Sequence, residues 1–341
     1  MFPSANGRFQ AEWQLSDTKL VDAVRLSLPP THTIPQKIKC RRHCTVLGGV
    51  IELPSSFIAS PLTTGIFKGR KQDGHEPMDV LVRTGVNPSI FDNLMQKHKA
   101  KLEAAASSHI DILREMKATR DGEVIFRIQR IDDAFVSEIF FLRGASMISA
   151  RLHSFHNQYA AAEEILKRFA GNVKAMNGNS GSRGVNGFCM GNITIQGDFE
   201  IERGSFLFQN GRGEHFEIDV DSYARNDRVT LLERMSGPNS RLKVFDVSHN
   251  VFRTKERTVA GMNAQEWLGS AQVTENEGEK AFQFTLETMR SLPSRASPKI
   301  SLTFETAQPL EDGTQTKTLI SRDDAIRLWD SVVDSLRSTG T

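Results

Sequence analysis

The stretch Gly171–Gly197, GNVKAMNGNSGSRGVNGFCMGNITIQG, lies at the middle of the 341-residue chain and divides it. Its first half, through Gly187, is rich in Gly, Asn and Ser and offers little to bury, which is typical of a flexible connector. Its second half turns apolar from Phe188 to Ile195 and opens a second series of strand patterns. The sequence therefore predicts two modules, one on each side of the connector.

The overall charge excludes some classes of partner. Lys and Arg number 43 against 41 Asp and Glu, so the formal net charge is +2, whereas a dedicated nucleic-acid binder normally carries a basic excess on one domain. Three short basic runs, at 37–42, 68–71 and 253–257, are interpreted as solvated faces or edge-strand charges. The balanced charge therefore predicts no nucleic-acid partner. No run of about 18 apolar residues occurs, so we also predict no transmembrane segment.

The start of the chain and the cysteines bear on the compartment. The first residues, MFPSANGRFQAEWQLSD, lack the charged region followed by an apolar region that a signal peptide has. Either the protein is cytoplasmic or a leader lies outside this numbering. The 3 cysteines are an odd number and do not make a disulfide framework, although one bridge stays open.

The part before the connector reads as an α+β module over residues 37–170, preceded by an irregular, proline-rich arm at 1–36. Pro88 begins an apolar stripe at steps of three and four, which predicts one long helix ending near Lys117. Residues 158–170 predict a second helix closed by Gly171. The stripe consists of Phe91, Met95, His98, Leu102, Ala105, His109, Leu113 and Met116. Predicted strands are Val46–Leu53, Met78–Val82, Val124–Ile131, Val136–Leu142 and Met147–His153.

We assign the flexible connector to residues 171–186. The part that follows it, residues 187–341, is predicted to form a second module. Ser321 is a good N-cap with Asp324 three residues on, and the stripe that follows predicts a closing helix with Trp329 buried against the sheet. Both modules run from strands into a closing helix, which predicts an α+β fold of two domains, each an antiparallel sheet covered by helices. Predicted strands include Phe206, Phe208, Phe216–Val220, Leu242–Val247, Trp267–Val273, Phe282–Leu286 and Ile300–Phe304.

The sequence offers little that resembles a catalytic nucleophile. Ser180–Gly184, with Ser182 at its centre, approaches a nucleophile elbow, but that motif requires glycine where Ser180 stands and a buried strand before it. His153 and His156, at the end of a predicted strand, are interpreted as surface or hydrogen-bonded residues. Neither phosphate-binding nor dinucleotide-binding glycine patterns occur.

The metal-site candidates are equally weak. Cys40 and Cys44 flank His43, but this arrangement lacks the second ligand pair that structural zinc requires. We therefore predict no catalytic, cofactor-binding or metal-binding residue and no enzyme activity.

Three stretches together resemble one family. They are CTVLGGVIELP at Cys44–Pro54, Gly187-Phe188-Cys189, and a C-terminal block. The block runs through AGMNAQEWL at Ala260–Leu268 and PKISLTFET at Pro298–Thr306 to SRDDAIRLWDSVVDSLR at Ser321–Arg337. This combination resembles the fourth class of immunity proteins that protect bacteria from type VI secretion lipase effectors. The resemblance covers roughly residues 40–338, and its C-terminal half is the specific part.

The resemblance implies two α+β domains arranged like a claw. It also implies that the protein binds a cognate secreted phospholipase in the periplasm. A cleft between the domains would hold the phospholipase and block its active-site entrance or lid. The resemblance implies no catalytic residues. The absent leader departs from the family and leaves the cytoplasm open. In an oxidising periplasm Cys44 and Cys189, near the openings of the two modules, are candidates for a bridge.

Two other functions stay open from the sequence alone. A serine hydrolase would use Ser182 with His153 or His156. A lipid- or lipoprotein-binding module of the cell envelope would need an apolar cavity, which the alternating strands permit.

Overall fold

The computed structural model describes residues 49–70, 75–105, 111–119, 122–176, 187–223, 229–236, 249–272, 280–289, 293–294, 298–306 and 318–338. All of these fall within one compact unit, Gln36–Thr341. The predicted arm at 1–36, and Cys40, His43 and Cys44, lie outside the described residues.

The described residues form strands and helices along the whole of that unit. The helices are α1 (Pro88–Ala105), α2 (Tyr159–Asn172), α3 (Leu231–Ser236) and α4 (Arg322–Asp334), with a 3-10 turn at His156–Gln158. The strands are β1 (Gly49–Val50), β2 (Ile58–Gly69), β3 (Met78–Thr84), β4 (Ile112–Ala118), β5 (Val124–Ile131), β6 (Ala134–Arg143), β7 (Ser146–Phe155), β8 (Val173–Ala175), β9 (Phe188–Met190), β10 (Ile193–Ile195), β11 (Phe199–Gln209), β12 (His215–Asp221), β13 (His249–Val259), β14 (Met262–Gln272), β15 (Lys280–Thr288), β16 (Lys299–Glu305) and β17 (Arg337–Ser338).

One antiparallel sheet dominates the described structure. Its 12 strands follow the order β13-β14-β15-β16-β12-β11-β2-β3-β7-β6-β5-β4, and a smaller sheet has the order β8-β10-β9. Strands β4–β7 join β2 and β3 in an N-terminal half, and β12–β16 join β11 in a C-terminal half. The halves meet where β11 pairs with β2. The predicted α+β class, with antiparallel strands and few helices, is confirmed.

The helices lie on both faces of the large sheet. Leu166 of α2 belongs to one apolar cluster with Ile139 and Val80, on the face that also carries the small sheet. Met95 of α1 belongs to a different cluster with Phe140, which points to the opposite face because neighbouring strand residues alternate. The helices thus shield the apolar residues on both faces of the sheet from water.

Two paired glycines let the small sheet approach the seam between the halves. Gly204 of β11 stands directly opposite Gly65 of β2. A Cβ at Gly204 would lie 2.8 Å from the Phe188 ring, and one at Gly65 would lie 3.0 Å from the Met190 methyl. Side chains at either position would displace the small sheet from the core, because contacts this short force atoms apart.

Short segments cross between the halves. Phe57, before β2, stacks edge-on against Phe216 of the C-terminal half at 5.0 Å. Phe188, after the predicted connector, contacts Phe67 of the N-terminal half at 5.2 Å. β1 also pairs with β17 near the end of the chain. The division into domains at residues 37–170 and 187–341 therefore stays a prediction, with packed segments exchanged across it.

The predicted long helix is wrong at its C-terminal end. The described helix α1 is Pro88–Ala105, whereas Ile112–Ala118 forms β4, which pairs with β5. The register shifts between Leu113 and Glu115, and this bulge lets Leu113 and Met116, three residues apart, pack on the same cluster. A bulged strand thus imitates helical spacing, because the extra residue shifts the alternation of side chains.

The second helix runs from Tyr159 to Asn172, so Gly171 lies inside its last turn instead of closing it. The first part of the predicted connector is ordered as well: Val173–Ala175 forms β8, with Val173 fully buried. Burial of that valine explains why the chain stays packed past Gly171. Residues 177–186, with Ser182, lie outside the described residues.

The predicted closing helix is confirmed. The Ser321 hydroxyl accepts a hydrogen bond from the Asp324 amide at 3.2 Å, and Trp329 is fully buried. Most predicted strands are found, although Leu242–Val247 lies outside the described residues. The sequence analysis missed β2, whose burial does not alternate cleanly, and the short helix α3.

Candidate partner-binding site

One face of the large sheet has no described helix over its middle. At one flank α1 lies over β5 and β6, where His98 reaches Glu138. At the other flank α3 lies over β14, where the Leu232 amide donates to the Gln265 side chain at 3.1 Å. Between these helices, strands β7, β3, β2, β11, β12 and β16 each direct every second side chain to this face. We call the surface that these side chains form the open face.

A line of alternating charges crosses the open face. Directly opposed residues in antiparallel strands share a face, so the registers place these side chains in one row. Across β6, β7, β3, β2, β11, β12 and β16, the row reads Glu138, Arg151, Asp79, Ile66, Arg203, Asp221 and Lys299. Each charge is flanked by the opposite sign or by Ile66, so the face is polar with little net charge.

The row starts at a buried carboxylate. Glu138 is 2% exposed, and its two oxygens lie 2.8 Å from His98 Nε2 and 2.8 Å from Arg151 Nε. Burial by itself would raise the pKa of Glu138, but the hydrogen bond from His98 and the charge of Arg151 outweigh it, so that pKa lies below its usual value. Glu138 therefore remains ionised and ties α1 to the sheet.

Two further titratable side chains lie beside Arg151 on the open face. Partial burial against the sheet raises the pKa of Asp79, although its side chain still reaches solvent, and His153 and Arg151 act in the opposite direction. Burial, and then the charge of Arg151, lowers the pKa of His153. Burial is thus the first cause of both shifts.

A second buried carboxylate lies in the C-terminal half, on the face that carries α4. Glu266 is fully buried, with Arg253 Nε at 2.8 Å, Arg257 at 3.0 Å and the Trp329 indole nitrogen at 2.8 Å. Arg253 also donates a hydrogen bond to Asp330 of α4 at 3.0 Å. This network fastens the closing helix and gives the C-terminal flank a fixed position.

A small cavity opens where α2 meets the end of β2. Its volume is about 250 Å³, and its lining includes Met78, Ile165, Phe169 and Phe199. Ligand pockets usually measure about 300–1,000 Å³ and enclose most of their ligand. This cavity is thus smaller than a lipid-carrying module would need.

The two histidines of the alternative hydrolase hypothesis lie in different surroundings. His153 lies on the open face, whereas His156 begins the 3-10 turn, exposed, 3.4 Å from Asp133. Within the described ranges no serine hydroxyl hydrogen-bonds to either imidazole, and Ser182 lies outside those ranges. A general base must be within hydrogen-bonding reach of its nucleophile, so the described part of the chain shows no such pair.

Cys189 is in a disulfide bond. The sulfur belongs to β9, and its partner lies outside the described residues; so does Cys44, with which a bridge was predicted. Among the described side chains, no group of three His, Cys, Asp or Glu is arranged to hold a metal ion. No described helix is long and apolar enough to cross a membrane.

Sequence reasoning missed the residues that shape the open face. Glu138 and Arg151 stand in predicted strands, but nothing in their spacing reveals that they are opposite each other. The hairpin Ala134–Phe155 sets that pairing, and its turn at Gly144 and Ala145 is the one local signal that would have found it. The contribution of β2 had no signal of this kind.

Comparison with known families finds a match for the C-terminal part of the chain. Residues 184–339 match the family model described as the Tle cognate immunity protein 4 C-terminal domain. A search of curated protein sequences found no match.

Solved structures share the fold over nearly the whole chain. The immunity protein TplEi of the T6SS from Pseudomonas aeruginosa, complexed with an "L" peptide, is 17% identical with a TM-score of 0.57; 90% of this chain and 100% of that one are covered. Its apo structure gives 16% identity, a TM-score of 0.58, and coverage of 88% and 97%. A chain of the Tle4–Tli4 complex gives 17% identity, a TM-score of 0.57, and coverage of 86% and 95%.

Proposed function

We propose that this protein is an immunity protein, because residues 184–339 match the model of the Tle cognate immunity protein 4 C-terminal domain. It binds a cognate secreted lipase effector of a type VI secretion system and inhibits it without chemistry of its own. The similar fold of a chain in the Tle4–Tli4 complex supports a role in binding such a partner. The protein would protect the producing cell and its kin from the lipase, and it is not an enzyme.

The open face is the binding surface in this proposal. The observation that carries it is a broad stretch of six strands, between two helices, over which the described part of the chain places no helix, since sheets normally cover or pair such surfaces. Its alternating charges would orient the lipase and exclude wrong partners, whereas the apolar residues among them would supply affinity. The two flanks would act as the two arms of a claw across the bound lipase.

Inhibition would follow from restraint of the lipase lid. Lipases depend on lid movement to admit substrate, and a partner that contacts the lid from two sides keeps it ordered. The large-sheet halves are joined through β2 and β11, so the two flanks are held at a fixed spacing. A rigid claw of this kind loses less conformational entropy on binding than a flexible one.

We place this activity in the periplasm. The disulfide at Cys189 supports an oxidising compartment, because structural disulfides persist there and are rare in the cytoplasm. The chain has 3 cysteines, so an intramolecular bridge uses Cys40 or Cys44. Peptide mapping without reduction, on protein isolated from the periplasmic fraction, would identify the pair; a fully reduced Cys189 in the cell would contradict the placement.

The test uses the full chain and the lipase encoded beside it. We expect a stoichiometric complex by calorimetry and loss of phospholipid hydrolysis at a one-to-one ratio. Thr64→Arg, at the centre of the open face, should weaken inhibition. The matched variant Ser331→Arg, exposed on α4 beyond the opposite face, should leave it unchanged. Absence of binding by the unaltered chain would overturn the immunity function; equal inhibition by both variants would overturn only the choice of face.

A further inference from the structure

A bulge distorts β2 at the seam of the open face. Pairing of β2 with β11 places Thr63 opposite Phe206 and Ala59 opposite Phe208. Three residues of β2, Ser60–Leu62, therefore stand against the single residue Leu207. The Leu62 amide turns to the Ser60 hydroxyl at 3.1 Å. Bulges redirect side chains and are common beside functional sites.

The bulge leaves Leu62 44% exposed in the middle of the sheet. On the same face, Ile66 follows four residues later on β2, Leu81 stands opposite Thr64, and Leu207 stands opposite Glu217. We call Leu62, Ile66, Leu81 and Leu207 the seam patch. All four are at least partly exposed. A central apolar patch within a polar rim is the arrangement of an interface hot spot.

An unpaired cation borders the seam patch. Arg83 of β3 stands directly opposite Leu62. Its guanidinium makes no ion pair or side-chain hydrogen bond within the described part of the chain, whereas its neighbours Arg151 and Arg203 pair with Glu138 and Asp219. A half-buried guanidinium without a carboxylate is suited to one supplied by a partner, because such pairs are bidentate and strong.

We infer that the seam patch and Arg83 form the energetic centre of the effector interface. The occupant is a segment of the lipase effector that presents an apolar side chain beside a carboxylate. The apolar side chain packs on Leu62, and the carboxylate pairs with Arg83. This inference rests on the proposed function and adds to it the residues and the chemistry of the contact.

The charges around the seam patch favour this occupant. On the β3 side the patch meets the cation Arg83, and on the β12 side it meets Glu217, which accepts a hydrogen bond from Ser205 at 2.9 Å. The carboxylate on the β12 side is thus already engaged, and the cation on the β3 side is not. A segment of the effector carrying an acidic residue on one side is complementary to this asymmetry.

The experiment measures affinity of full-length variants for the purified lipase. Leu62→Asp removes the apolar contact and puts a carboxylate opposite Arg83, and we expect the Kd to rise by at least about 30-fold. Arg83→Met keeps the apolar stem and removes the charge, and we expect a rise of about tenfold that shrinks at high salt. Thermal unfolding of each variant establishes that it is folded.

Matched controls separate this inference from the proposed function. Leu319→Asp changes an exposed leucine near the start of α4, and Arg168→Met changes an exposed arginine of α2; both should bind like the unaltered chain. If the unaltered chain binds and Leu62→Asp and Arg83→Met bind equally well, the inference is wrong while the function stands. A photo-crosslinker at position 62 should react with an acidic, apolar segment of the lipase. Reaction with a second copy of this chain instead would also overturn the inference.

Discussion

The two halves of the large sheet each bury one glutamate in the same way, yet with different partners. Glu138 and Glu266 both accept from a ring nitrogen on a covering helix at 2.8 Å and from an arginine Nε at 2.8 Å. The ring is His98 in the N-terminal half and Trp329 in the C-terminal half. The arginine of each pair lies on the neighbouring strand of a hairpin.

The difference lies in how many permanent charges compensate the carboxylate. Glu266 has a second guanidinium, Arg257, and both arginines continue to aspartates of α4. Among the described residues Glu138 has one guanidinium, that of Arg151, and the imidazole of His98. The comparison teaches that one hydrogen-bonding pattern can give a redundant anchor or a sensitive one.

The faces differ as well. The Glu266 anchor lies beneath α4, opposite the open face, whereas the Glu138 anchor lies beneath α1 at the start of the charge row that crosses the open face. Loss of the C-terminal anchor should therefore act on stability. Loss of the N-terminal anchor should act on stability and also on the flank that would contact a partner.

The largest effect on stability is expected at Trp329, whose indole nitrogen donates a hydrogen bond to Glu266. Trp329→Ala should lower the free energy of unfolding by about 3–5 kcal/mol, because it empties a core site. Trp329→Phe keeps most of the volume and removes the bond to Glu266, so a loss of about 1.5–3 kcal/mol is expected. Urea unfolding followed by circular dichroism gives both values. Equal stability of Trp329→Phe and the unaltered chain would show that the indole N–H contributes nothing.

The two arginines offer a direct test of redundancy. Arg151→Met leaves Glu138 without a guanidinium and should cost about 3 kcal/mol, at the lower end for removing one partner of a buried pair, since Arg151 is partly exposed. Arg253→Met leaves Glu266 with Arg257 and should cost about 1 kcal/mol. The same urea measurement compares them. A larger loss for Arg253→Met would reverse the proposed order of the two anchors.

The smallest effect concerns pH. The pKa of Glu138 is lowered in the folded protein, so its contribution to stability is present above the ordinary glutamate pKa of about 4.3 and is lost as the pH falls through the folded value. Glu138→Gln should therefore show a shallower decline of stability below that pH than the unaltered chain. Glu200→Gln, an exposed change, is the control. An unchanged slope in Glu138→Gln would mean that the pKa of the Glu138 carboxyl is the same in the folded and the unfolded protein.

Local patterns in the sequence determined much of this protein. The capping box at Ser321 and the stripe with Trp329 predicted α4, and alternation predicted strands such as β5, β6 and β12. These signals succeed because capping bonds and side-chain alternation involve residues close in the chain. The same reasoning failed at Ile112–Ala118, because a bulged strand and a helix can show the same spacing.

Only the tertiary structure decided how distant segments meet. The pairing of β2 with β11, which joins residues at least 130 positions apart, creates the seam and the bulge at Leu62. The pairing of β1 with β17 and the burial of Glu266 beneath Trp329 are equally remote in sequence. Such contacts depend on the register and packing of whole strands, and no local propensity specifies them. The sequence thus determined the class of the fold and the family resemblance of the C-terminal part, whereas long-range packing decided the open face.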